Sequence, residues 1–360
     1  MREALSEAAK GAGQTSPNPA VGAVIVQDSV VIARGYHVYA SRRHAEIVAL
    51  EEAGSAARGA TMYVTLEPCS HYGRTGPCTA ALISAGIAHV VCAMQDPNPV
   101  VAGRGFQQLR DAGITVEIEA DAMQSASKLN EAYEHFMRTG LPLVTLKAAV
   151  TLDGKISAPE DNRGWITSEV ARQHVQTLRH ASDSILTGIG TVLADDCLLN
   201  DRSGLPRSRP LMRIVADSQL RLPLDSKMVR GASGDVTVVT TSAAPDERRL
   251  ALEDAGIHVV VMDSPGGRTS FPSLVRWLAE QRYLSLMIEA GSKVNWAALE
   301  CGVVDKIFFY YAPKILGGML SLPVAGGAGR TRRVDAIRFR DVSLHNIARD
   351  EFAVEAYLEK

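Results

Sequence analysis

Four residues in the first quarter of the chain could together do hydrolytic chemistry: His44, Glu46, Cys69 and Cys78. One imidazole and two thiols give three ligands, the count of a catalytic zinc that leaves its fourth position for water. A structural zinc usually takes four protein ligands, and only three are offered. Bound zinc lowers the pKa of water toward neutrality. Glu46 stands two residues beyond His44 and is not needed as a ligand. Its carboxylate suits the general acid/base role, taking a proton from that water and giving it to a leaving amine. Each residue falls at the start of a predicted element. His44-Ala45-Glu46 opens a helix, Pro68-Cys69 follows a strand, and Cys78 stands at the mouth of another helix. A thiol near a helix N-terminus is favoured as thiolate. Cys92 sits inside an apolar strand and reads as simply buried.

His-x-Glu followed by Pro-Cys is the arrangement of zinc deaminases of nucleobases. The usual two-residue spacing between the cysteines fails, because Ser70 to Pro77 are inserted between Cys69 and Cys78. In the second half, Thr187-Gly188-Ile189-Gly190-Thr191 and Glu289-Ala290-Gly291-Ser292-Lys293 each follow a predicted strand. Small residues there let main-chain N–H groups approach a phosphate. Neither is a Gly-x-Gly-x-x-Gly fingerprint, so an ordinary dinucleotide-binding fold is disfavoured.

A family resemblance rests on longer runs. Thr15-Ser16-Pro17-Asn18-Pro19-Ala20-Val21-Gly22, His44-Ala45-Glu46 and the stretch from Thr65 to Cys78 resemble the bifunctional riboflavin biosynthesis deaminase/reductases. Asp96-Pro97-Asn98-Pro99 and Val101 to Gly105 fit the same family, and the long Cys69 to Cys78 insertion separates it from cytidine and transfer-RNA deaminases. Leu146 to Ala149, Thr151 to Lys155, Trp165 to Thr167, Thr187 to Asp196 and Glu289 to Gly291 extend the resemblance over nearly the whole chain. The resemblance implies an α/β chain: an N-terminal cytidine-deaminase-like α/β/α zinc domain, then a dihydrofolate-reductase-like α/β domain that uses NADPH. The implied substrate is a diaminopyrimidine bearing a ribosylamino 5′-phosphate. It would be deaminated first, then reduced at the ribosyl group to a ribityl chain.

By family position, Asn18, His37, His71 and Arg74 would meet the deaminase substrate, with Arg74 near the phosphate; an arginine makes a good phosphate fork. Ala149, Trp165, Thr191, Asp195 and Ser218 would contact NADPH, together with Gly291, Ser292, Lys293, Val294, Asn295, Trp296 and Ala297. Arg163, Arg179, Leu199, Arg202 and Glu289 would contact the reductase substrate. Lys147 and Asp153 are polar neighbours with no assigned role. The sequence departs from the family pattern at Ser16, Gly76, Arg163 and Cys197. Two other readings stay open: a zinc deaminase of another base or nucleotide with an accessory second half, and a nucleotide-binding module without turnover.

The elements that must position these residues follow an α/β rhythm. A hairpin over residues 21–33 is followed by helix 43–53, strand 61–66, helix 79–85, strand 87–94, helix 103–112 and strand 114–118. Gln124 to Arg138 reads as one helix, and Gly140 with Pro142 marks a joint. The rhythm restarts at Leu143, with strands at 143–149, 184–188, 211–216, 236–240, 257–262, 284–289 and 305–311 and helices between them. Domains of 1–140 and 141–360 are expected, and 360 residues is more than one core usually organises. Lys+Arg 38 against Asp+Glu 40 gives a net charge of −2, which argues against nucleic-acid or membrane partners held by bulk charge. No apolar run approaches the roughly 20 residues of a membrane span. Five cysteines are too few for a disulfide scaffold, so a reducing, cytoplasmic setting is expected. The resemblance also implies self-association into a homo-oligomer.

Overall fold

The computed structural model describes residues 1–72, 76–160 and 164–359. Two units divide the chain: Met1–Gly140 with Pro206–Arg209, and Leu141–Leu205 with Pro210–Lys360.

In the first unit α1 (Arg2–Lys10) precedes the hairpin β1 (Gly22–Gln27) and β2 (Val30–Tyr36). Then come α2 (Ala45–Ala53), β3 (Thr61–Val64), α3 (Cys78–Ala85), β4 (His89–Cys92), α4 (Arg104–Asp111) and β5 (Thr115–Ile118). The sheet order is β2-β1-β3-β4-β5. β1 runs antiparallel to β2 and β3, while β3, β4 and β5 are parallel. Apolar residues of the sheet and helices, among them Ile25, Met62, Leu82, Val90 and Leu109, form the core.

Two glycines of the hairpin set how closely the helices approach. A Cβ on Gly22 would lie 2.1 Å from the Ala4 carbonyl oxygen of α1, and one on Gly35 would lie 2.3 Å from the Ala45 oxygen of α2. Gly35 pairs with Ala23, next to the Gly22 position, so the two contacts fall on opposite faces of the sheet. The N-terminus of α2, which carries His44 and Glu46, is therefore seated directly on strand backbone. A Gly35→Ala substitution is expected to cost about 1–3 kcal/mol through overpacking and to speed zinc loss. Urea unfolding and a chelator-competition assay check it; an unchanged midpoint would remove the seating argument.

The expected single helix over Gln124 to Arg138 is two, α5 (Ala120–Leu129) and α6 (Glu131–Thr139). The break is Asn130, at φ −110°, ψ 18°. Its buried side chain accepts from Ala20 N at 2.7 Å and donates to Ala20 O at 3.0 Å. That pair ties the break between α5 and α6 to the segment leading into β1.

The second unit starts with β6 (Leu143–Thr151), β7 (Lys155–Ser157), α7 (Glu169–Ala181), β8 (Ser184–Gly188), α8 (Ile189–Asp195) and β9 (Met212–Ala216). It continues with α9 (Lys227–Arg230), β10 (Val236–Thr240), α10 (Asp246–Asp254), β11 (His258–Val261), β12 (Asp263–Ser264), β13 (Arg268–Thr269) and α11 (Phe271–Glu280). Last come β14 (Ser285–Ile288), α12 (Ser292–Glu300), β15 (Lys306–Ala312), β16 (Leu322–Pro323), β17 (Phe339–Ala348) and β18 (Glu351–Leu358). The main sheet is ordered β11-β10-β9-β8-β14-β6-β15-β18-β17. The chain runs outward from β8 to β11, then returns to insert β14 between β8 and β6. All these strands from β11 to β15 are parallel, and β18 and β17 close the edge antiparallel. In open α/β sheets, ligands bind beyond the carboxyl ends of strands where the order reverses. Here that place is the ends of β8 and β14.

Candidate active sites

The first site is built from three starts. His44 caps α2 in an extended conformation, with Glu46 in the helix's first turn. Cys78 is the first residue of α3. Cys69 lies on the loop from β3 to α3, not on a helix, but the Cys78 N–H points at its Sγ, 3.3 Å away. Thr79 N donates to the Cys69 carbonyl as well. The α3 N-terminus thus favours thiolate at Cys69, the sulfur that accepts its first N–H. His44 Nδ1 is 3.6 Å from Cys69 Sγ and 3.3 Å from Cys78 Sγ, and the three donor atoms lie within 4.8 Å of one another. Two sulfurs and an imidazole nitrogen converging on one point are the donor set of zinc, with a position left over.

The electrostatics set the two thiols apart. Hydrogen bonding from the Cys78 side chain, with help from His44, holds the Cys69 thiol well below its ordinary range, while the same bond and burial push Cys78 up. Hydrogen bonding to Cys69 raises His44. Glu46 is 3% exposed. Burial, then the nearby Cys69 charge, lifts its carboxyl to about 7. Cys92 is fully buried and donates to the Met94 carbonyl at 3.1 Å.

His37 supports this centre. Its Nδ1–H donates to the Arg43 carbonyl at 2.8 Å, which leaves Nε2 to accept from Asn18 Nδ2 at 3.1 Å. Its ring meets that of His44 edge-on, with centroids 5.3 Å apart. Burial lowers the His37 pKa, favouring the neutral tautomer these bonds require. His71 is exposed, and Arg74 lies outside the described residues.

In the second unit the carboxyl end of β14 presents Glu289. Its Oε1 meets Lys147 Nζ of β6 and an Arg179 terminal nitrogen of α7, both at 3.0 Å, and Oε2 meets Arg179 Nε at 3.0 Å. Arg179 also donates to the Asn200 carbonyl at 2.8 Å. Arg179 and Glu289, both expected against substrate, are bound to each other, and Lys147 joins them. Burial pushes the Glu289 carboxyl up, but the charges and hydrogen bonds of Lys147 and Arg179 prevail and bring it to about 2. Its side chain keeps 20% exposure, so lone pairs remain for a ligand. Leu199 is buried, Arg202 is exposed with its main-chain N–H on Gln176, and Arg163 lies outside the described residues.

Beside Glu289, α12 begins at Gly291 with no side-chain cap. A Cβ on Gly291 would sit 3.6 Å from Thr191 Oγ1, so the two glycine-bearing loops meet here. Gly188 at the end of β8 lies so near Val294 that a Cβ would come within 2.6 Å of its side chain. The buried Thr187 Oγ1 and Asn295 Oδ1 have no hydrogen-bond partner among the described residues. An uncapped helix N-terminus with orphaned buried polar atoms beside it fits a phosphate-bearing cofactor.

Residues 291–297 are spread around the helix and not aligned on one face. Ser292 donates to the Pro323 carbonyl and Asn295 to that of Val324, Lys293 faces solvent, and Ala297 packs on the core. Trp296 lies under the Arg330 guanidinium. Trp165 is 69% exposed beneath Arg172, Asp195 is exposed at the end of α8, and Ala149 and Ser218 are half-buried.

Residues 142–351 match the RibD C-terminal domain, and residues 1–94 match the cytidine and deoxycytidylate deaminase zinc-binding region. A riboflavin biosynthesis protein RibD from Actinobacillus pleuropneumoniae is 40% identical over 350 residues, 97% of this chain and 92% of the relative. The chain belongs to the RibD family. Its structure is similar to Acinetobacter baumannii RibD, with TM-score 0.86 and 37% identity over 100% of this chain and 98% of that one. It is also similar to a deaminase/reductase from Thermotoga maritima, with TM-score 0.84 and 34% identity over 100% and 97% of the two chains.

As a RibD family member the chain is a bifunctional deaminase and reductase of riboflavin biosynthesis. The two expected folds are found: a cytidine-deaminase-like zinc domain, then a dihydrofolate-reductase-like RibD domain. Zinc and NADPH are the cofactors of these RibD domains. No helix among the described residues is long and apolar enough to cross a membrane. Two residues without a role in the sequence reading have notable partners: Lys147 meets Glu289, and Glu67, adjoining Pro68-Cys69, accepts from four main-chain N–H groups. A carboxylate directly before the Pro-Cys pair was the available signal for the second.

Proposed function

We propose that the first unit hydrolyses the exocyclic amine of a diaminopyrimidine bearing a ribosylamino 5′-phosphate. The second unit then reduces the opened ribosyl group to ribityl phosphate with NADPH. The observation that carries this reading is the convergence of His44, Cys69 and Cys78, with Glu46 buried in the first turn of the helix that His44 caps. His44, Cys69 and Cys78 would hold the zinc, which supplies Lewis acidity to a water molecule. Glu46 removes a proton from that water as its oxygen bonds to the ring carbon. It then delivers the proton to the departing nitrogen, and ammonia leaves. Asn18 and His37, hydrogen-bonded to each other, are proposed to line the pyrimidine pocket, with His71 and Arg74 meeting the substrate and Arg74 near its phosphate.

For the reduction, NADPH would supply the hydride, and the protein chiefly positions the nicotinamide. The uncapped start of α12 and Thr191 are proposed to hold its phosphates, with Ala149, Trp165, Asp195 and Ser218 around the rest. Glu289, fixed by Lys147 and Arg179, accepts hydrogen bonds from sugar hydroxyls. Arg163, Leu199 and Arg202 complete the proposed substrate contacts. A cytoplasmic setting belongs to the proposal, in keeping with five free cysteines; so does self-association.

The test uses the purified protein and the diaminopyrimidine ribosylamino phosphate. About one zinc per chain, ammonia release without NADPH, and NADPH oxidation only once deaminated product is present are expected. Stripping zinc with a chelator should stop ammonia release and leave reduction of already deaminated substrate intact. Ammonia released at the parent rate after zinc removal would overturn the deaminase mechanism.

A further inference from the structure

We propose that Glu67 is a positioning residue for the deaminase centre, fixing Cys69 by capping α4 from a distant part of the chain. The inference rests on the proposed zinc site of His44, Cys69 and Cys78. Glu67 is 3% exposed and immediately precedes Pro68-Cys69. Its Oε1 accepts from Gly105 N at 2.8 Å and Phe106 N at 3.3 Å. Its Oε2 accepts from Gly103 N at 2.9 Å and Asp96 N at 3.2 Å. Four main-chain donors thus converge on one carboxylate. The N-cap of α4 is Gly103, which has no side chain to satisfy the first-turn N–H groups. Glu67 satisfies them instead, where the helix dipole also favours a negative charge.

The packing is as close as the bonding. A Cβ on Gly105 would lie 2.1 Å from the Pro68 carbonyl oxygen and 3.0 Å from Glu67 Oε1. The chain from Glu67 to Pro68 is therefore pressed onto the start of α4. The Glu67 N–H is held by the Met94 carbonyl. Two residues on, Cys69 takes the N–H groups of Cys78 and Thr79. The Cys69 sulfur stands on a loop of no regular structure, fastened on one side to α3 and on the other, through Glu67, to α4. His44 and Cys78 each have a helix of their own. Cys69 has none, and Glu67 stands in for it. Groups that orient metal ligands are commonly worth about 10- to 100-fold in metal affinity or activity.

The experiment compares Glu67→Gln and Gly105→Ala with the parent protein, full length. Zinc release to a chromogenic chelator is timed, the absorption spectrum of the Co2+-substituted protein is recorded, and both activities are assayed. Zinc binding by the parent tests the site itself, so its failure is separate from failure of this inference. Glu67→Gln keeps the volume but turns an amide N–H2 toward main-chain donors. Zinc release about 10- to 100-fold faster is expected. The cobalt bands should change, and deaminase kcat should fall, while reduction of deaminated substrate keeps its kcat and KM. Gly105→Ala, with Glu67 intact, should move the same readouts in the same direction. Parent-like zinc release and cobalt spectrum in Glu67→Gln would overturn the inference. So would loss of cooperative unfolding of the first unit in that variant, which would make Glu67 a fold element alone.

Discussion

A Glu46→Gln protein retains its zinc and its reductase activity and releases ammonia about 10²- to 10⁴-fold more slowly than the parent, the usual size of a general acid/base contribution. Glutamine fills the same buried volume but neither takes up nor gives back the proton that must travel from water to the leaving nitrogen. The ligand set is untouched, because His44, Cys69 and Cys78 close on one another without Glu46. The reductase serves as an internal control, since the residues proposed for it all belong to the second unit. Metal analysis, a coupled ammonia assay and NADPH oxidation on deaminated substrate read the three quantities separately. Ammonia release at the parent rate would take the proton-transfer role from Glu46. Zinc loss parallel to the rate loss would turn Glu46 into a structural support of the metal centre.

Glu46 could be read from the sequence because its partner is two residues away and each ligand opens or adjoins an element. Local spacing of that kind survives folding. The helix ending at Gly54 and the strands of four to nine residues were visible for the same reason, through short apolar runs bounded by glycine. Interactions across long separations were not. Lys147, Arg179 and Glu289 sit on β6, on α7 and after β14, 142 and 110 residues apart. Nothing in a linear pattern announces that an isolated lysine in an apolar strand faces that carboxylate. Asn130 hid a helix break because its reason is Ala20, 110 residues earlier. The closing hairpin β17–β18 was missed altogether. Most of β17 is exposed, Val342 and Leu344 included, its register with β18 shifts twice, and Phe339 to Ala348 lacks a clean alternation. Glu67 combines both cases: it stands next to a legible motif, but its four partners lie between residues 96 and 106.

Removal of Glu289 is expected to have the largest effect in the second unit. Lys147 and Arg179 are each 7% exposed, and Glu289 is the carboxylate that both of them meet at 3.0 Å. Glu289→Ala leaves two buried cations facing one another, and breaking a buried pair in this way costs about 3–5 kcal/mol. Loss of NADPH oxidation should accompany it, with ammonia release preserved. Glu289→Gln keeps the shape and one acceptor oxygen, so its loss should be smaller. The pH dependence separates charge from packing. The Glu289 carboxyl falls from its ordinary 4.5 to about 2 in the folded chain. A depressed acid contributes stability that is fully present above its unfolded value and fades as pH falls through the folded one. The parent's advantage over Glu289→Gln should therefore be constant from neutrality to about pH 5, and shrink steadily below about pH 4.5. Urea midpoints of the two proteins across that range decide the matter. A gap that stays the same at low pH would mean that the carboxylate's shape, and not its charge, holds Lys147 and Arg179 in place.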